Sequence, residues 1–150
     1  MKIKLFILLF ITTIASCVTA RGYYMTDKTV EQYGTRIYKV SYDNIWNEIK
    51  GTLITSGYEI AYENREKGII NTKQKVILLS ANKGGQATVY SRQYLVSVIK
   101  ISNEEIKVKL TPKLFKGNND ITKQEIWVIE GKDGEIELWN KFFEDLSGLL

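Results

Sequence analysis

Few side chains in this chain have types and spacings that bear on chemistry. They are a lone cysteine, Cys17, the adjacent carboxylates Glu104 and Glu105, an oxygen-rich Asn118-Asn119-Asp120 stretch, and five lysines between Lys100 and Lys116. Histidine is absent, which removes the commonest general base near neutral pH, the usual catalytic triads and most zinc sites. Paired acid and base work needs environments that push two carboxyl pKa values apart. Glu104 and Glu105 fall in a predicted turn, where neighbours point apart and water keeps both ionised. Asn118-Asn119-Asp120 offers hard oxygens to calcium but lacks the alternating acidic ligands and final glutamate of an EF-hand, and it reads as a loop. Asn82-Lys83-Gly84-Gly85-Gln86 lacks the lysine and hydroxyl of a phosphate-binding loop and precedes a strand, so it reads as a hairpin turn. The expectation is a protein that is not an enzyme and has no metal or cofactor.

Two features could carry binding. Lys100, Lys107, Lys109, Lys113 and Lys116 could meet anionic headgroups, lipopolysaccharide or an acidic partner if they share an exposed face. Lysine on an outer strand face also guards against edge-to-edge association. Tyr58, Tyr62, Tyr90 and Tyr94 could line a groove between a helix and a curved sheet, with a solid core as the alternative.

Cys17 gives the chain an expected address. Lys2 and Lys4 precede an uncharged run from Leu5 to Ser16, the pattern of a secretory signal. About 12 residues fall short of the roughly 20 that span a bilayer core. The residues Ile14-Ala15-Ser16-Cys17 resemble a bacterial lipobox. The resemblance implies lipidation of the Cys17 thiol, cleavage before it and acylation of the new amino terminus. Each buried methylene contributes about 0.8 kcal/mol, and stable anchoring takes more than one chain. Val18 after the cysteine resembles the sorting signal of enteric outer-membrane lipoproteins, facing the periplasm. Of the 150 residues, 134 remain once 1–16 are removed, enough for one domain with a real core. Loss of the two signal lysines lowers the net charge from +4 to +2, no case for nucleic acid. The only cysteine is then used, so stability must come from packing.

The elements that position these groups follow from periodicity. Residues 18–35 show no clean period and are expected as an extended or loosely packed tether, or a packed-down arm. That stretch carries Tyr23 and Tyr24, which could dock on a partner. Residues 36–41 read as a strand. Residues 41–57 read as a helix capped by Ser41 or Asp43, with Ile45, Trp46, Ile49 and Leu53 on one face and Gly57 just past its end. Tyr58 to Asn64 alternate as a strand, with Tyr58, Ile60 and Tyr62 on one face. Gly68 closes the turn that follows. Residues 69–79 read as one strand, 87–102 as a central strand, and 106–115 as a strand that Pro112 ends or confines to an edge. Residues 121–130 read weakly as a further strand. A last helix starts near Asp133, its predicted cap, with Glu135 and Glu137 favourable in the first turn. Ile136, Trp139, Phe142, Phe143, Leu146 and Leu150 form its apolar stripe. The fold class is α+β, an antiparallel sheet with two helices on one face, in the order β-α-β-β-β-β-(β)-α.

The stretch IYKVSYDNIWNEIKGTLITSGYEIAYENREKGIINT, Ile37 to Thr72, resembles the helix-grip domains of BamC-type outer-membrane lipoproteins. The resemblance implies fold and compartment and assigns no functional residue. The expected organisation is a signal peptide at 1–16, a lipidated tether at 17–35 and one α+β domain at 36–150. The expected function is a non-enzymatic interaction lipoprotein, an accessory subunit of an envelope complex, held to the membrane through Cys17 and bound to an envelope protein. The alternative is a carrier or sensor of a lipid or small apolar ligand held between helix and sheet.

Overall fold

The structure is a computed structural model that describes residues 20–81 and 84–150. In chain order the elements are β1 (Arg21–Tyr23), α1 (Asp27–Tyr33), β2 (Thr35–Tyr38), α2 (Tyr42–Thr55), β3 (Ile60–Asn64) and β4 (Ile69–Thr72). They continue with β5 (Lys75–Ala81), β6 (Ala87–Lys100), β7 (Ile106–Lys116), β8 (Asn119–Asp120), β9 (Trp127–Glu130) and α3 (Glu135–Ser147). The class is α+β with antiparallel pairing. The main sheet runs β2-β7-β6-β4-β3, with β5 also on β6 and β8 also on β7, while β1 and β9 form a separate pair.

Local chemistry explains the helices. The Ser41 hydroxyl accepts from the Asn44 amide and caps α2, one of the two predicted capping residues. Its fourfold apolar spacing buries Ile45, Trp46, Ile49 and Leu53 against the sheet. Gly57, at φ 79°, turns the chain out of the helix. The cap of α3 differs from expectation. Asp133 takes a left-handed φ of 61° and its own amide donates to the Glu137 carboxylate, so Gly134 becomes the N-cap. A side chain at Gly134 would meet the Ile129 carbonyl at 2.7 Å. Trp139, Phe142, Phe143 and Leu146 are buried as the spacing predicts, whereas Leu150 lies exposed beyond the end of α3.

The core lies between α2 and α3 and one face of the sheet, where Tyr94, Val96 and Val98 of β6 meet Ile106, Val108 and Leu110 of β7. Alternation sends Lys107 and Lys109 of β7 to the opposite face. Residues 21–33 form β1 and α1 where an extended or loosely packed tether or a packed-down arm was expected. β1 pairs with β9, and Met25 and Val30 join the core.

Two departures shape the sheet. The single strand expected at 69–79 is two, because Thr72, Lys73 and Gln74 stand opposite only Gln93 and Tyr94 of β6. The Thr72 hydroxyl takes the Tyr94 amide that the ladder would have used (2.9 Å), and the Thr72 carbonyl accepts from the Gln93 side chain (2.7 Å). The bend separates β5 from β4 along β6. Pro112 sits within β7, not at its end, opposite Tyr94. Leu110 and Leu114 send their amides outward, to Gly34 and to the Thr122 hydroxyl, so the Pro112 nitrogen faces outward too. That position falls between β2, which ends opposite Lys109, and β8, which begins opposite Phe115. The missing donor costs nothing there because no strand among the described residues faces it.

Candidate functional site

Where the C-terminal end of α2, the start of β5, the middle of β6 and one side of α3 converge, they leave a cavity of about 350 Å3. Leu53, Leu110, Leu138 and Phe142 form apolar walls, and Tyr58, Lys75, Arg92 and Tyr94 supply polar groups. Each polar residue is there for a local reason. Arg92 and Tyr94 are two apart on β6 and so face the helices together. Tyr58 follows the Gly57 turn and packs edge-to-face on Tyr94, ring centroids 5.0 Å apart. Lys75 opens β5 just after the bend. Its ammonium donates to the Ser56 carbonyl (2.7 Å) and stands 4.9 Å from the Tyr58 ring centroid.

Behind this wall lies a buried ion pair. Glu135 is wholly buried in the first turn of α3, and its two oxygens reach the Tyr94 hydroxyl at 2.7 Å and Arg92 at 3.1 Å. Burial pushes the Glu135 carboxyl above the usual carboxylate range, against the opposing pull of Arg92 and the Tyr94 hydrogen bond. Burial, with the Glu135 charge, pushes the Tyr94 hydroxyl well above its ordinary value. Burial raises the Tyr58 hydroxyl as well, with Arg92 opposing. Arg92 is 13% exposed at its side chain, and its Nε has no hydrogen-bond partner among the described residues.

Of the four tyrosines expected to line a groove, Tyr58 and Tyr94 do so. Tyr62 is exposed, because a bulge between Ile60 and Tyr62 breaks the alternation that placed it with Tyr58. Tyr90 is further out on β6, under the Lys116 ammonium. The five lysines do not form an unpartnered cationic face. Lys107 and Lys109 both pair with Glu31 of α1, Lys113 with Asp120, Lys116 with Glu125, and Lys100 lies over the Tyr42 ring. Tyr23 and Tyr24 are about half exposed beside β9. Cys17 and the lipobox-like Ile14-Ala15-Ser16 before it lie outside the described residues, as do Asn82 and Lys83 of the Gly84-Gly85 loop. Glu104 and Glu105 donate their amides to the Ser102 hydroxyl, and the Asp120 carboxylate is engaged by Thr122. Among the described residues no His, Cys, Asp and Glu cluster could hold a metal ion, and no helix is long and apolar enough to cross a membrane.

A wider hollow of about 530 Å3 lies between β2 and α3, lined in part by Arg36, Tyr38 and Phe143. It is shallower, and Arg36 already donates to the Tyr33 and Thr35 carbonyls and to Asn140. The smaller, more enclosed cavity is the better candidate for a ligand.

A different kind of site is missed by sequence reasoning. Every residue of β5 is exposed, including Val76, Ile77, Leu78 and Leu79, the last at 69%. Among the described residues β5 pairs only with β6, which leaves its other edge open there. The four consecutive apolar residues were the available signal. They read as the end of one strand over 69–79, which the bend at Thr72 divides, leaving Val76 to Leu79 exposed.

No protein-family profile and no curated protein matches the chain. A DUF4468 family protein from Bacteroides ovatus, solved as a crystal structure, is similar at a TM-score of 0.44 and 10% identity, over 77% of this chain and 83% of that one.

Proposed function

We propose that this protein is a membrane-anchored interaction lipoprotein that offers the edge of β5 to a protein partner in the cell envelope. The observation that carries the reading is that open edge, a seven-residue strand with apolar side chains on both faces. An exposed, apolar edge strand is an aggregation hazard unless something covers it. An extended segment can add to such an edge through backbone hydrogen bonds, with alternate side chains giving specificity. The resemblance of Ile14-Ala15-Ser16-Cys17 to a lipobox supports an anchor at Cys17, and Val18 after it supports the outer membrane, facing the periplasm. Cys17→Ala is expected to release the protein from the membrane fraction; retention would refute the anchor.

The docking reading is tested with a photoreactive residue at Leu79 in living cells. A discrete adduct with one envelope protein is expected, lost when Leu78→Lys is added and absent with the same probe at exposed Glu63. Equal adducts at both positions, or none at Leu79, would refute docking at β5. A second reading, a carrier of a small ligand, has the cavity at Tyr58 and Tyr94 in its favour.

A further inference from the structure

We infer that the cavity between α2, β5 and α3 binds a single-chain amphiphile with one anionic headgroup, a carboxylate, held by Lys75, Arg92 and Lys141. The inference is independent of docking at β5 and gives the carrier reading a ligand class. Charge balance sets the headgroup. Lys75, Arg92 and Lys141 line the cavity, and Asp145 lines it too. Glu135 stands behind Arg92. Three cations against two carboxylates leave one positive charge, which one anion neutralises.

The cations are also partly unspent. Guanidinium has five donors in a planar fork that suits carboxylate. Arg92 meets Glu135 through one terminal nitrogen and also engages the Tyr58 hydroxyl, which leaves donors of the fork over, its Nε among them, buried and without a partner among the described residues. Lys75 gives one donor to the Ser56 carbonyl and keeps two. Lys141 makes no ion pair among the described residues, although Asp145 lies one turn further along α3.

The walls set the tail. Leu53 and Leu110 are at most 1% exposed, and Phe142 is nearly as buried. At about 350 Å3 the space lies near the small end of ligand sites, enough for one short chain and too little for a two-chain phospholipid. The chemistry is therefore that of a free short- or medium-chain carboxylate.

The test uses the full chain carrying Cys17→Ala, secreted and purified without detergent, and titrated with decanoate and with decanol as the uncharged counterpart. Decanoate is expected to saturate at one per chain and to bind at least about tenfold more tightly than decanol. Lys75→Ala and Lys141→Ala change exposed residues, so the fold should persist by circular dichroism. Each is expected to weaken decanoate several-fold and leave decanol unchanged. Three results would overturn the inference: no saturable decanoate binding, decanol binding as tightly as decanoate, or decanoate affinity indifferent to both lysines. All three leave crosslinking at Leu79 unaffected, so the two readings fail separately.

Discussion

Replacing Arg92 by methionine strips a wholly buried carboxylate of its counter-ion. Glu135 would keep one hydrogen bond, from the Tyr94 hydroxyl at 2.7 Å. Breaking a buried pair by removing one partner costs about 3–5 kcal/mol. Against a total stability of about 5–15 kcal/mol for a domain, that loss is plain in a urea titration. Its pH dependence identifies the cause. Burial already holds the Glu135 carboxyl above its ordinary range, and the Arg92 charge is the largest opposing influence. Without Arg92 the folded-state value rises further. A folded value above the unfolded one means that the protonated group stabilises the fold. That contribution is full below about pH 4.3, the unfolded value, and is lost as pH rises through the folded value. The loss in Arg92→Met should therefore be greatest near about pH 7. It should shrink by up to about 1.4 kcal/mol for each pH unit of acidification within that window. Arg92→Met with Glu135→Gln keeps an acceptor for Tyr94 and removes the titrating group. The double variant should recover most of the loss and lose the slope. An equal loss near about pH 5 and pH 7, or a double variant as unstable as the single, would refute the account.

Other substitutions separate local causes. Gly68 has φ 64°, and a β-carbon there would lie 2.1 Å from the Val98 carbonyl oxygen. Gly68→Ala should cost on the order of 3 kcal/mol in chemical denaturation. Gly85→Ala, with a similar φ of 77° but open space around it, should cost only about 1–2 kcal/mol. Thr72→Val keeps the shape but leaves the Tyr94 amide without its acceptor. A loss of about 1–3 kcal/mol is expected, with faster hydrogen exchange at that amide. Leu79→Lys should change stability by less than about 0.5 kcal/mol while reducing self-association in sedimentation.

Helices α2 and α3 were legible in the sequence because their determinants are local, whereas the short α1 lay in a stretch with no clean period. Ser41 caps its own turn, and the spacing of Ile45, Ile49 and Leu53 alone decides which face is buried. Gly57 and Gly68 take the left-handed conformations that their places after a helix and in a turn implied. The candidate site was half legible. Tyr58 and Tyr94 were among the groove tyrosines, whereas Tyr62 was displaced by a bulge that alternation does not reveal. Glu135 reads as an ordinary first-turn acid favoured by the helix dipole. Only the tertiary packing of α3 on β6 makes it the buried partner of Arg92. The signal that could have found the pair was Arg92 itself, a charge midway along a central strand that carries no other until its last residue, Lys100. The same limit explains the lysines. Their alternation along β7 was visible, but Glu31, Asp120 and Glu125 come from segments that only the fold brings near.

Thr72, Tyr94 and Pro112 lie on one line across the sheet. On one side of β6 the ladder is interrupted at Thr72, and on the outer side of β7 it is interrupted at Pro112. Only the β6–β7 ladder runs unbroken across that line. The sheet therefore has a two-stranded neck, with a body of β2, β3 and β4 on one side and, on the other, a paddle of β5, β8 and the far halves of β6 and β7 that is tied to the helices through Lys75 to Ser56 and Arg92 to Glu135. Amides of the paddle beyond these ties should exchange through a local opening that leaves the body intact. Twist applied to the paddle at β5 would pass through the neck, where Arg92 and Tyr94 of β6 line the cavity.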